Sequence, residues 1–251
     1  MTHPMSVLGL DIAKLVVHVV GMDDAGHVVL RKRRARRAWP RVIATVPALR
    51  IGMEACGSAP YGARCFRDYG HEMRLSAPPF ITAYGKSPQN EARAAEAICQ
   101  AVTRPTRRFV PIKRVEPQDL QALHRGRERR IKARTALVKA SRGLLSADGM
   151  ILPQRRTTLR ALLVDTRQEE QATRTTLSAA VFRPLYAEGR ALEQRLEYDD
   201  EKLAARGQAH PACQRLQTMP GSGPVTATAL LAAMGDVPPC KNGRQGAAWL
   251  G

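Results

Sequence analysis

The stretch "SVLGLDIAKLVVHVVGMDDAGHVV", residues 6–29, decides how the N-terminal half of the chain is read. Val7, Leu8, Leu10 and Ile12 make a short buried-strand pattern, yet Asp11 sits in its middle. An ionised carboxylate inside such a run is costly unless a partner or a cation compensates it. "SVLGLDIA", "VVHVVGMD" and "GHVVLRKRR" read as three strands over residues 5–35, with the Asp-Ala-Gly of "DDAGHV" as the turn before the last. The expectation is an antiparallel meander.

Working outward, a short helical stretch around Val42–Leu49 precedes "RIGMEACGS", a brief apolar strand ending at Glu54. In "SAPYGARCFRDYG", Ser58 can cap a helix, Pro60 fits its first turn and Gly70 can end it. "HEMRLSAPP" closes with another short strand, and "NEARAAEAICQAVTR" places Ala94, Ala95, Ile98 and Val102 at helical spacing. The order βββαβαβα predicts a mixed α/β domain over residues 1–110. If the strands carrying Asp11 and Glu54 are neighbours, the two acids face one another across a small gap, which is unfavourable without a cation. Magnesium, which takes hard oxygen ligands, is one compensator. Pairing of Asp11 with Arg or Lys, and a turn-capping role for Glu54, are the other.

"TRPTRRFVPIKRVEP" is basic and broken by prolines, and reads as a linker. A helical region over residues 111–206 follows. In its first pattern Leu120, Ile131, Val138 and Leu145 share a stripe among Arg125, Arg127, Arg129, Arg130, Lys132, Arg134, Lys139 and Arg142. In its second, Leu185, Leu192, Leu196 and Leu203 repeat at three-, four- and seven-residue steps, interrupted by Gly189 and Asp199. An antiparallel helical hairpin is expected, used for dimerisation or packed on its own chain. Residues 207–251 contain a Gly221-Ser222-Gly223-Pro turn opening an Ala-rich helix. Free N–H groups at such a start can hold a phosphate, as in helix–hairpin–helix modules, and a plain interhelical turn has the same pattern.

Forty Lys+Arg against 22 Asp+Glu leave a formal net charge of +18. That excess favours a polyanionic partner, with nucleic acid the default. Aromatic content of 4% argues against a base-stacking platform. The basic run "RKRRARR" at residues 31–37 suits backbone contacts or a solvated strand edge. Five scattered cysteines without a C-x-x-C pair predict free thiols in a reducing cytosol, and dispersed histidines give no structural zinc spacing. No apolar run approaches the roughly 20 residues of a membrane span, and the N-terminus lacks signal-peptide regions. A phosphate-binding glycine turn after the first strand, which an actin-like ATPase needs, is missing between Asp11 and Gly21.

The blocks "VLGLDIAK", "IGMEACGSAPYGAR", "GHEMRLSAPPFITAYGK", "AEAICQAVTRPTRRFVPIK", "QDLQALHRGRERRIKARTALV", "GLLSADGMILPQ" and "TMPGSGPVTATALLAAMGD" through "KNGRQGAAWLG" resemble, in order, the DEDD transposases of the IS-one-ten insertion-sequence family. The resemblance implies a RuvC-like (ribonuclease H-like) mixed sheet with helices, a long helical coiled-coil region and a partial C-terminal domain containing a helix–hairpin–helix. It implies DNA transposition and recombination: cleavage and transfer of DNA phosphodiesters with Mg2+, at element ends and targets. A structured guide RNA, a homo-oligomer formed through the helical region and a prokaryotic cytoplasmic, nucleoid-associated setting come with it.

The resemblance further implies that Asp11 and Glu54 are the first two members of a metal-binding tetrad. Aligning "AEAI" places Glu91 at the third position and Ala94 at the fourth, where the family carries aspartates three residues apart on one helix face. Glu91 moves its carboxylate outward by roughly 1.5 Å, about one C–C bond, whereas catalytic groups need placement within about 0.5 Å. Ala94 offers no ligand, and Glu96 lies on another side of the helix. Impaired two-metal chemistry is therefore expected. The family also continues past "AAWLG" into a segment with a nucleophilic serine that Ser222 does not match, so the expectation is a truncated or decayed copy. Arg127, Arg130 and Arg134 with Gly221, Ser222 and Gly223 are the candidate nucleic-acid contacts; a non-catalytic basic DNA- or RNA-binding protein is the alternative reading.

Overall fold

The computed structural model describes residues 5–82, 91–104, 109–147, 149, 175–235 and 242–250. The chain divides into two compact units, one spanning Met1–Arg114 and the other Val115–Gly235 with Asn242–Gly251. The helical region and the C-terminal segment thus belong to one unit.

The first unit carries a five-stranded sheet in the order β3-β2-β1-β4-β5. Strands β1 (Val7–Ile12), β2 (Val16–Met22) and β3 (Val28–Ala35) form the expected antiparallel meander. Its second turn is closed by Gly26 at φ 86° and by the Asp23 carboxylate, which accepts from the His27 N–H at 2.8 Å. Strands β4 (Arg50–Glu54) and β5 (Glu72–Ser76) add in parallel beyond β1.

Side-chain alternation gives the sheet two buried faces. On one, Leu8, Leu10, Val17, Val19, Ile51, Met53 and Leu75 pack against Trp39 and Ile43 of α1 (Trp39–Ala44) and Ala59, Ala63 and Phe66 of α2 (Ala59–Asp68). Pro60 lies in the first turn of α2 and Gly70, at φ 89°, follows its end, both as expected. Ser58 differs: its backbone is already helical, it makes no cap hydrogen bond, and its hydroxyl lies 3.4 Å from the Cys56 thiol. A short α3 (Pro78–Thr82) was not anticipated.

On the other face, Val7, Val20 and Met22 pack against Ala95, Cys99 and Val102 of α4 (Glu91–Thr103). Cys99 donates to the Val20 carbonyl at 3.1 Å, and burial foremost pushes its thiol up to about 12. Only the thiolate is a competent nucleophile, so a soluble thiol reagent should modify exposed Cys56 in the native protein and reach Cys99 only after unfolding. Mass spectrometry of partially labelled protein reads the order directly. Cys56, Cys65, Cys99 and Cys213 are free, in line with the sequence reading.

The second unit is built on two long helices, α5 (Val115–Ala147) and α6 (Thr176–Ala209). Leu120 meets Leu203 near the start of α5, whereas Leu145 meets Phe182 near its end, so the helices are antiparallel. On α6 the inward positions are 182, 185, 189, 192, 196, 199 and 203, an unbroken alternation of three- and four-residue steps. Gly189 and Asp199 are therefore members of the seam. Helices α7 (Pro211–Gln217), α8 (Pro224–Met234) and α9 (Gly243–Leu250) complete the described elements of this unit, with Ala232 of α8 packed on Leu120 and Leu203. No helix among the described residues is long and apolar enough to cross a membrane.

Candidate functional site

The carboxylates of Asp11 and Glu54 come together for a reason set by the register. Leu10 is opposite Met53 in the parallel β1–β4 pair, so the next step along both strands sets Asp11 beside Glu54. Directly opposed residues point to the same face, and Gly9 and Gly52, two residues earlier, both face α4. The acids therefore share the α4 face, at the carboxyl ends of adjacent parallel strands, where open α/β sheets place their ligands. Both are half-buried. Burial, and next the charge of Asp11, hold the Glu54 carboxyl above the usual carboxylate range.

Like charges held together out of bulk water favour a cation or a proton. Among the described residues no third His, Cys, Asp or Glu joins the two acids in a metal-sized cluster. Glu91 is the first residue of α4, on the same face of the sheet, but its side chain lies outside the described residues. Ala94 has no ligand atom. Glu96 is occupied elsewhere: it accepts from Arg31 of β3 at 2.6 Å. A cleft of about 830 Å³ among Asp23, Arg50, Glu72 and Arg104 opens at the opposite end of the sheet from the acid pair.

In the second unit the arginines expected to meet nucleic acid have structural work as well. Arg127 donates to Asp200 and Arg130 to Asp199, both at 2.6 Å, linking α5 to α6. The Asp199 side chain is only 3% exposed, so the apparent break in the leucine seam is a buried ion pair. Arg134 is half-buried on α5, one turn beyond Arg130. Arg127 also lines a cleft of about 340 Å³ between α5 and α8, with His124, Glu128 and Ala233. There the Thr228 hydroxyl donates to the Pro224 carbonyl at 2.7 Å, so it accepts from the His124 Nε2–H at 3.1 Å. Burial, then the charge of Arg127, hold the His124 ring below the ordinary histidine range, consistent with that neutral tautomer.

Gly221, Ser222 and Gly223 form the turn between α7 and α8. Gly221 takes φ 80°, which favours glycine, and the Ser222 N–H donates to the Met219 carbonyl at 3.1 Å. Gly223 is the residue preceding α8 and supplies no side-chain cap; Pro224 fills the first turn. The Ser222 hydroxyl oxygen is buried without a hydrogen-bond partner among the described residues. Sequence reasoning missed Asp199, Asp200 and Thr228, because each acts through a residue 69 to 104 positions away and local pattern carries no trace of it.

Comparison with known proteins places these features in context. The profile of the transposase IS116/IS110/IS902 family matches residues 213–251, which include the Gly-Ser-Gly turn. A protein of Pseudomonas aeruginosa named a probable family 20 transposase is 40% identical over 98% of this chain and 73% of its own length. The transposase for insertion sequence element IS1111A of Coxiella burnetii is 36% identical over 98% of this chain and 68% of its own. The transposase for insertion sequence element IS1328 of Yersinia enterocolitica is 30% identical, with 69% of its length covered. Identity at this level along nearly the whole chain, over a mixed sheet that brings Asp11 and Glu54 together, leads to one conclusion: the chain belongs to the IS116/IS110/IS902 family of transposases.

Proposed function

We propose that this chain binds DNA as a transposase of its family through a RuvC-like N-terminal domain, and that Asp11 and Glu54 hold Mg2+ there with Glu91 as the third ligand. The observation that carries the reading is the pair of adjacent acids at the carboxyl ends of β1 and β4, with Glu54 shifted upward by burial and by its neighbour. The strand order, three antiparallel strands followed by two parallel ones, supports the ribonuclease H-like assignment. Oxygen donors of this type suit a hard divalent cation, which when bound supplies charge stabilisation to phosphodiester chemistry. The protein's own part is to fix the two carboxylates on rigid strands and to seat α4 over them. DNA cleavage and strand transfer are impaired in this chain, because Ala94 leaves the family's fourth position without a ligand.

Contacts to the nucleic-acid backbone come from the +18 charge, from the Gly221-Ser222-Gly223 turn, whose Ser222 N–H is itself held by Met219, and from Arg134, with Arg127 and Arg130 contributing around their ion pairs. A structured guide RNA and self-association through the helical unit extend the same reading. The alternative, a basic DNA- or RNA-binding protein without catalysis, is favoured by the same Ala94 and differs only in lacking any residual cleavage.

The test is thermal unfolding with EDTA and with MgCl2. Glu54 has a folded value above its unfolded one, so the metal-free protein binds the extra proton when folded. Its stability therefore falls as pH rises from the usual glutamate range through the raised value of Glu54. Glu54→Gln should remove that slope and raise the melting temperature in EDTA at neutral pH. Mg2+ should stabilise the wild type and leave Asp11→Asn and Glu54→Gln unmoved. A wild-type melting temperature indifferent to Mg2+ overturns the metal reading. Robust Mg2+-dependent cleavage of branched DNA, abolished by Asp11→Ala, overturns the impairment.

A further inference from the structure

The acid pair is part of a longer row. Glu54 is opposite Ser76 of β5, Asp11 is opposite His18 of β2, and His18 is opposite Arg33 of β3. Opposed residues share a face, so Ser76, Glu54, Asp11, His18 and Arg33 cross all five strands in one line on the α4 side. Along that line the chemistry changes from two carboxylates to an imidazole to a guanidinium on the edge strand.

Arg33 differs from its neighbours in a way the register explains. Arg31, two residues earlier on the same face, is tied to Glu96 of α4. Arg33 lies about 7 Å further toward the acid end, at 3.3 Å per residue, and is exposed, with no acidic partner among the described residues. Lys32 and Arg34 point to the opposite face, beside Val19 and Val17, which pack toward α1 and α2. Two strand spacings of about 4.8 Å set the Arg33 backbone about 10 Å from that of Asp11.

We propose that Arg33 completes a phosphate track that holds a DNA strand across β1, β2 and β3, so that one phosphate lies at Asp11 and Glu54 while a neighbouring phosphate of the same strand rests on Arg33. The arginine fork donates to phosphate oxygens, while His18, its Nε2 buried, fills the row between the acids and Arg33. The assignment rests on the acid pair being where DNA chemistry is directed, and it names the residue that orients the strand there.

The face of β3 gives the test its control. Arg33→Ala and Arg34→Ala each remove one positive charge from the same exposed strand, but on opposite faces. Binding of a fluorescent branched DNA is measured in EDTA over a series of salt concentrations with the full chain. Arg33→Ala should weaken binding about tenfold and flatten the plot of log K against log salt by about one unit, with Arg33→Lys retaining most affinity. Arg34→Ala should change affinity less than twofold. Equal losses for Arg33→Ala and Arg34→Ala, or none for either, overturn the track, as does a contrast seen on a folded RNA hairpin and absent on DNA. Failure of the metal reading shows separately, as an unchanged Mg2+ response in Asp11→Asn whatever the arginines do.

Discussion

Replacing Arg130 by alanine is expected to cost the helical unit about 3–5 kcal/mol, the penalty for leaving a buried charge without its partner. The carboxylate of Asp199 is 3% exposed, whereas the Arg130 side chain is 31% exposed, so the two halves of the pair are not equivalent. Removing Arg130 strands an anion inside the α5–α6 seam. Removing Asp199 leaves a guanidinium on a long stem that can swing its head into water. Asp199→Ala should therefore cost clearly less than Arg130→Ala. Pairing Arg130→Met with Asp199→Leu fills the seam with apolar atoms and should recover most of the loss, since apolar replacements of buried pairs are often neutral or stabilising. Chemical denaturation of the three variants checks the order, and the double-mutant cycle isolates the coupling. The neighbouring Arg127–Asp200 pair, with Asp200 49% exposed, is the internal control: Asp200→Ala should cost under about 1 kcal/mol.

That asymmetry bears on the nucleic-acid contacts proposed for the arginines of α5. An arginine whose charge is already matched by a buried carboxylate contributes less to long-range attraction than its formal count suggests. Arg127 and Arg130 fix the pairing of two long helices, and the pair at Asp199 sets their register as a buried polar position does in other helical seams. Arg134 and Arg33 have no such commitment among the described residues. Mutations intended to probe binding belong at these two, where no ion pair among the described residues is lost and effects on affinity are easier to interpret.

What was legible in the sequence follows from the range of the forces involved. The meander, the strand ending at Glu54 and the helix from residue 91 were readable because alternation and helical spacing are local properties. The proximity of Asp11 and Glu54 followed once their strands were neighbours, since a parallel register with Leu10 opposite Met53 leaves the next pair no other place. Asp199 read as a defect in the leucine repeat because its partner is 69 residues away. Glu96 read as an acid on the wrong side of its helix for the metal site, but its partner Arg31, 65 residues away, left no local trace. Ser58 had the residue type for a cap, yet its helical backbone denies it the extended geometry that capping requires.

Adding a single methyl group at Gly9 is expected to damage the first unit more than the same change at any other glycine packed against its neighbours. A Cβ built there meets the Ala95 carbonyl oxygen at 2.2 Å and the Cys99 sulfur at 2.7 Å. The nearest obstacle is backbone of α4, which no rotamer change can move, so the helix itself has to lift from β1. Gly52 faces the same helix, but its obstacles are the Val102 and Ile98 side chains at 2.7 to 2.9 Å, which yield in part. At Gly62, inside α2, the nearest atom is the end of Met53 at 3.2 Å, and alanine also gains helix propensity of up to about 1 kcal/mol. The series Gly9→Ala, Gly52→Ala, Gly62→Ala should therefore run from a loss of about 3 kcal/mol or more, through about 1–2 kcal/mol, to neutral or slightly stabilising. Melting temperatures give the order. Because α4 packs on the sheet face that Asp11 and Glu54 share, lifting it also changes the space on that face. Gly9→Ala should then weaken the stabilisation proposed for Mg2+ in whatever fraction still folds. A Gly9→Ala protein that melts like the wild type would falsify the close seating of α4 on β1.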